Sequence, residues 1–173
     1  MPEGHYHFGV VEFEKHDEAS KGKMKGSLKI VCEVLACKNA DLIGKKHTER
    51  IQWPSREMGD VARRIKIETF CVLCIATKLT TAEEIDSLKK AGKGFNPEWI
   101  DKLLGLDFCG EIKCDEYDAK DDNGVLTGEK RKSFKLEKRM WPVGSPKVAG
   151  FPVANIVGLG QKPGSIPDDD LPI

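Results

Sequence analysis

Leu28-Lys29-Ile30-Val31-Cys32-Glu33-Val34-Leu35-Ala36-Cys37 is the stretch that decides the fold class of this chain. One alternate set of residues, from Leu28 to Ala36, is wholly apolar, and the other set is only partly polar. Alternation with a period of two is typical of a β-strand, whose successive side chains point to opposite faces. The stretch therefore predicts a central strand with one face in the core and the other face half covered.

Further strands are predicted on both sides of this stretch. Residues 5–14 are rich in aromatic and β-branched side chains, and residues 46–53 supply a partner strand that ends before Pro54. Alternation returns over residues 106–117 and over residues 134–141. In the last of these strands, the residues expected to face inward are Phe134, Leu136 and Met140.

The polar stretch of residues 118–133 separates the last two predicted strands. It contains Asn123-Gly124, a strong signal for a hairpin. Its length predicts a flexible ribbon tip rather than a tight turn.

Helices are predicted only in the middle of the chain, as an insertion over about residues 58–105. The first runs from Asp60 through Val61 and Ile65 to Ala76, and its broad apolar stripe predicts burial on more than one side. The signals for two further helices are the capping box Thr81-x-x-Glu84 followed by Gly92, and Asn96-Pro97-Glu98 followed by Gly105. Strands at both ends with helices between them predict an α+β, mainly β fold.

Composition allows a nucleic-acid partner without requiring one. The chain has 28 basic and 28 acidic residues, and basic clusters at residues 45–47, 63–66 and 130–132 interrupt a mixed background. No apolar run reaches the length of about 18 residues that a membrane span needs, and the first residues lack the features of a signal peptide. We therefore predict a cytoplasmic protein with no membrane partner.

Six cysteines in a cytosolic chain are expected to be thiols rather than disulfides. Cys71 and Cys74 form a Cys-x-x-Cys inside a predicted helix, so we interpret them as buried small hydrophobic residues. Zinc binding with help from Cys109, Cys114 or His47, and a redox pair, remain alternatives. No metal and no cofactor are predicted.

The final residues combine two properties. Asp168, Asp169 and Asp170 are followed by Leu171, Pro172 and Ile173, an acidic run with an apolar end. Such a segment cannot close a core, because its charges would need partners and its prolines disfavour helix and central strand. It suits a basic socket with an apolar floor, so these six residues are predicted to bind a partner at the end of a flexible tail over residues 155–173.

This tip resembles the C-terminal tip of bacterial and phage single-stranded DNA-binding proteins, although that family usually ends in Phe. The body is similar to phage-encoded members with the oligonucleotide/oligosaccharide-binding (OB) fold, through Gly4-His5-Tyr6, Glu33-Val34-Leu35 and Leu104-Gly105 before a strand. The resemblance implies one OB-fold-like antiparallel barrel over residues 1–154, with the helical insertion and the acidic tail. It also implies a protein that coats and protects single-stranded DNA in replication, recombination and repair.

The same resemblance implies that the tip recruits replication or recombination proteins, and that the protein works in a bacterial host cell if a phage encodes it. A homodimer is a further possibility. Non-specific single-strand binding requires cations along a groove and aromatic faces on which bases stack. The residues predicted to supply them are Arg50, Trp53, Arg56, Lys113, Tyr117, Lys130, Arg131, Lys132, Lys135, Arg139 and Trp141.

No catalytic motif accompanies these residues. The chain lacks a Walker A loop, a His-Glu-x-x-His and a Gly-x-Ser-x-Gly, and its paired carboxylates lie where solvated charge is expected. We therefore predict that the protein is not an enzyme. The alternatives to single-strand binding are a structural or adaptor protein of a phage replication complex or virion, and a zinc-stabilised binding module.

Overall fold

A computed structural model describes residues 1–16, 27–52, 60–93, 97–121 and 125–155. The elements, in chain order, are the strands β1 (Gly4–His16), β2 (Ser27–Cys37) and β3 (Lys46–Gln52), the helices α1 (Asp60–Ala76) and α2 (Ala82–Lys90), and the strands β4 (Asp107–Lys120), β5 (Leu126–Lys135) and β6 (Met140–Trp141). Short 3₁₀ helices lie at Ala40–Leu42, Pro97–Lys102 and Pro146–Val148.

The strands form an antiparallel sheet in the order β3-β2-β1-β4-β5, and β6 pairs with the start of β4. The predicted α+β, mainly β class is therefore confirmed. In the ranges that the structure describes, β3 and β5 stand at the two ends of this order and share no backbone ladder. We call the gap between them the seam.

The inner face of the sheet carries the core. Phe8 of β1 lies opposite Phe108 of β4, with ring centroids 5.6 Å apart, and both side chains are fully buried. Leu28 and Ile30 of β2 bring the predicted apolar face of the central strand against them. The second half of α1, from Phe70 onward, covers this face.

The local signals in the first half of the chain predict its elements well. The first three strands and both α-helices are confirmed within a few residues, and the Thr81 hydroxyl accepts a hydrogen bond from the Glu84 amide at 3.2 Å. The third predicted helix is a 3₁₀ helix. The predicted burial of the first apolar residues of α1 is wrong, because Val61 and Ile65 are 65% and 44% exposed.

The predicted flexible tip is mostly strand. β4 continues to Lys120 and β5 begins at Leu126, so a two-stranded ribbon extends beyond the core. Oppositely charged side chains face each other across it, with Glu116 opposite Lys132 and Asp118 opposite Lys130. These pairs favour the ladder that a loop prediction overlooks.

The predicted final strand is interrupted. Residues 136–139, which we call the seam turn, separate β5 from β6, and Glu137 adopts a positive φ of 50°. Leu136 and Met140 are buried as predicted, but Phe134 is 37% exposed because it belongs to the ribbon. The turn lets Leu136 enter the core while β6 returns to β4.

The chain after β6 lies against the outer face of β1. Phe151 stacks on His5 with ring centroids 4.0 Å apart, and the Ala154 amide donates to Nδ1 of the buried His7 at 3.1 Å. Nε2 of His7 lies 2.8 Å from Asp107. No helix in the described part of the chain has the length and apolar character to cross a membrane.

Candidate nucleic-acid interface

A basic groove of about 400 Å³ lies at the seam. β3, the first half of α1, the end of β5 and the seam turn form its walls. Its lining residues are Glu49, Arg50, Ile51, Ile65, Lys66, Thr69, Lys135, Glu137, Lys138 and Arg139. Five of these side chains are basic and two are acidic, so the groove attracts anions. We call it the seam groove.

The seam groove combines charge with apolar surface. Ile51 is buried in β3, while Ile65 of α1 is 44% exposed. Lys66 and Lys135 have no carboxylate within ion-pair distance among the described residues. Their ammonium groups are therefore available to an anion that enters the groove.

The two basic residues of the seam turn itself, Lys138 and Arg139, already have partners. Lys138 Nζ donates to Glu68 of α1 at 2.5 Å, and this hydrogen bond is the main cause that lowers the pKa of the Glu68 carboxyl. The Arg139 guanidinium donates to the backbone oxygen of Lys135 at 3.0 Å and of Glu111 at 3.4 Å. Arg139 thus shapes the seam turn and offers only part of its surface to the groove.

A second surface runs along the outer face of β4 and its neighbours. Lys113 pairs with Lys135, Tyr117 with Arg131, and Cys109 with Trp141. Because directly paired residues share a face, the predicted residues Lys113, Tyr117, Arg131, Lys135 and Trp141 all lie on this side of the sheet. We call them the outer lane. It spans about 26 Å from Trp141 to Tyr117 at about 3.3 Å per residue.

The two aromatic residues of the outer lane differ in access. Tyr117 is 48% exposed and lies directly opposite Arg131, which suits stacking of a base or a guanidinium. Trp141 is only partly exposed, and its ring meets Phe151 edge-on at 5.8 Å. Tyr117 is therefore an open platform, whereas Trp141 presents one side.

The predicted ribbon cations are divided between two faces. Lys130 and Lys132 lie on the face opposite the outer lane, where they form ion pairs with Asp118 at 2.8 Å and Glu116 at 3.6 Å. Arg131 lies in the outer lane, 3.8 Å from Glu129. These three predicted basic residues are thus partly neutralised by neighbours.

The cysteines are free thiols in the structure, and most are buried. Cys71 and Cys74 lie in α1 within the core cluster, and burial raises the pKa of both thiols. Burial also raises the pKa of Cys109 to about 11. Zinc and redox chemistry both use the thiolate, which these environments disfavour. Within the described ranges, no three His, Cys, Asp or Glu side chains are grouped as metal ligands.

The structure brings Arg50, Lys135 and Arg139 together in the seam groove, as a single site formed by distant parts of the sequence. Sequence reasoning missed Lys66 and Lys138. Lys66 belongs to a basic cluster that the sequence does display, but only the packing of α1 assigns it to the groove. Trp53, Arg56 and the tip residues Asp168, Asp169, Asp170, Leu171, Pro172 and Ile173 lie outside the described residues.

Comparisons with known proteins add no identification. No protein-family model matches the chain, and searches of curated proteins and of solved structures found no significant match. Function is therefore inferred from the residues of this chain and their geometry.

Proposed function

We propose that the protein binds single-stranded DNA without strong sequence preference, and coats and protects it during replication, recombination and repair. The observation that carries this proposal is the seam groove, where five basic side chains converge from β3, α1, the end of β5 and the seam turn. Lys66 and Lys135 have no carboxylate partner in the described part of the chain, which suits phosphate binding.

Lys135 links the seam groove to the outer lane, since it belongs to both. A strand that leaves the groove there would meet Lys113, Arg131 and the open ring of Tyr117. Cations beside an exposed aromatic ring suit a backbone whose bases are unpaired, and each stacked base contributes about 1–3 kcal/mol. A duplex hides its base faces, so its binding free energy would come only from the electrostatic attraction between the cations and its phosphates.

The strand order supports the OB-like barrel that the sequence resemblance implies. β1 lies between β2 and β4, β5 follows β4, and the helices lie between β3 and β4. Approach of β3 to β5 across the seam would close such a barrel. A binding groove beside this closure is consistent with the way OB folds hold single strands.

The tail extends the proposal to partners. Its three aspartates stay ionised at neutral pH, and its apolar end is not required for phosphate binding by the groove. We expect it to recruit a replication or recombination protein in the host cytoplasm. Removal of residues 167–173 should leave folding unchanged and abolish capture of such a partner. An unchanged set of captured proteins would contradict this role.

The proposal is tested by titrating the protein with oligo-dT and with a duplex of equal length, while tryptophan fluorescence is recorded. We expect the single strand to bind more tightly, and Trp141→Ala to weaken binding more than Trp141→Phe, which keeps an aromatic face. Both variants should lose the quenching that Trp141 itself contributes. If neither nucleic acid binds, the adaptor alternative is favoured. Equal affinity for single strand and duplex would contradict the single-strand role.

A further inference from the structure

Glu49 is a buried carboxylate at the floor of the seam groove. It is 8% exposed, and its Oε2 atom accepts a hydrogen bond from the Leu136 amide at 3.1 Å. The same oxygen lies 3.2 Å from Nε2 of the buried His47. One side chain of β3 therefore contacts the first residue of the seam turn.

The burial of this carboxylate has an energetic cost that demands an explanation. A buried carboxylate loses hydration, and well-packed apolar residues can often replace a buried carboxylate together with its partner without loss of stability. Glu49 is also, with Glu137, one of two acidic side chains that line the groove, and its negative charge would repel the phosphate that the groove is proposed to bind. Glu49 is therefore poorly explained by core stability or by the charge of the groove.

The position of Glu49 suggests what it contributes. β3 and β5 share no ladder in the described residues, so a side-chain bond here takes the place of a backbone bond across the seam. On one side of this bond stands Arg50, and on the other side Lys135 immediately precedes Leu136.

We propose that Glu49 is a positioning residue for nucleic-acid binding, which holds the seam turn against β3 so that cations from both sides converge. This inference rests on the proposed single-strand binding. Glu49 acts through the Leu136 amide and does not itself contact the nucleic acid.

Two substitutions separate positioning from charge. Glu49→Gln removes the negative charge but keeps an oxygen that can accept from the Leu136 amide. Glu49→Met has a similar length, removes the charge and removes the acceptor. If only charge mattered, both variants would bind single strands more tightly. If the bond positions the turn, Glu49→Gln should bind at least as well as the wild type, and Glu49→Met should bind about tenfold more weakly.

The experiment measures oligo-dT affinity of the three full-length proteins at one salt concentration and at a temperature where circular dichroism shows each folded. Hydrogen exchange of residues 134–140 is measured in parallel without DNA. We expect faster exchange in Glu49→Met than in Glu49→Gln. Equal affinity of the two variants would overturn the inference while leaving single-strand binding intact.

Two further outcomes distinguish failure of the proposed function from failure of the role of Glu49. A wild type that binds no single strand would overturn the proposed function and this inference together. If Glu49→Met does not fold, the wild type decides: residues 134–140 should exchange slowly without DNA. Exchange as fast as that of an exposed loop would show that Glu49 holds nothing in place, and would overturn the inference.

Discussion

The seam groove and the ribbon use the same kinds of side chain in opposite ways. In the ribbon, Lys130 and Lys132 each face a carboxylate across the strands, and the ion pairs support the ladder. In the groove, Lys66 and Lys135 have no carboxylate partner in the described ranges, while Lys138 and Arg139 hold the walls. Basic character therefore indicates a binding surface only where the structure leaves cations unneutralised.

The groove and the ribbon also differ in burial, and therefore in how readily their residues can be changed. The groove is built on buried residues, since Leu136 is fully buried and Glu49 nearly so. The ribbon beyond Lys113 has exposed side chains on both faces. Exposed ion pairs contribute at most about 1 kcal/mol each, so the ribbon can change without affecting the core.

The largest expected effect comes from Gly110→Ala, which removes the space that Leu136 occupies. An added Cβ would lie 2.5 Å from Leu136 Cδ2 and 3.3 Å from the Phe8 ring. Overpacking of this kind costs about 1–3 kcal/mol, and it should displace the seam turn as well. Denaturant unfolding measures the loss. Gly150→Ala is the matched control because nothing lies within 4 Å of its added Cβ. Equal stability of the two variants would show that Leu136 moves aside without cost and that its packing against Gly110 does not fix the seam turn.

A smaller effect is expected from changing Cys71 and Cys74 together to Ala. Both are buried in α1, so the loss of packing should lower the free energy of unfolding by about 1–2 kcal/mol in total. Oligo-dT affinity should not change at a temperature where the variant is folded. This variant would therefore show whether a loss of stability alone weakens oligo-dT binding. Stoichiometric zinc in protein purified without added metal would contradict the structural role.

The structure also shows what the sequence alone could predict. Period-two and helical patterns act within one segment, so β1, β2 and α1 could be read from local residues. Pairing could not, because Arg50 and Lys135 belong to strands at opposite ends of the sheet order and meet only where the fold brings those ends together at the seam. The ribbon was misread for the same reason: Asp118 and Lys130 stabilise a strand pair only in one register. The exposure of Ile65 likewise depends on where α1 meets the seam.

The smallest expected effect concerns the ribbon base, where Tyr117 and Phe134 offer a matched pair. Both rings are partly exposed, at 48% and 37%, but Tyr117 lies in the outer lane and Phe134 on the other face. Tyr117→Ala should weaken oligo-dT binding by about 1 kcal/mol, the lower end for a stacked base, and Phe134→Ala should not. Fluorescence or anisotropy titration measures both. A larger loss in Phe134→Ala would place the binding surface on the opposite face.

The most direct test compares two double variants that each remove two positive charges. Lys66→Ala with Lys135→Ala empties the seam groove of its unneutralised lysines, and Lys130→Ala with Lys132→Ala removes the paired lysines of the ribbon. The measurement is oligo-dT affinity over a range of salt concentrations. We predict that the groove variant lowers the salt slope by about 1.4, at about 0.7 for each lost phosphate contact, and the ribbon variant by less than half as much. Equal slopes for the two variants, or a larger change in the ribbon variant, would contradict the assignment of binding to the groove.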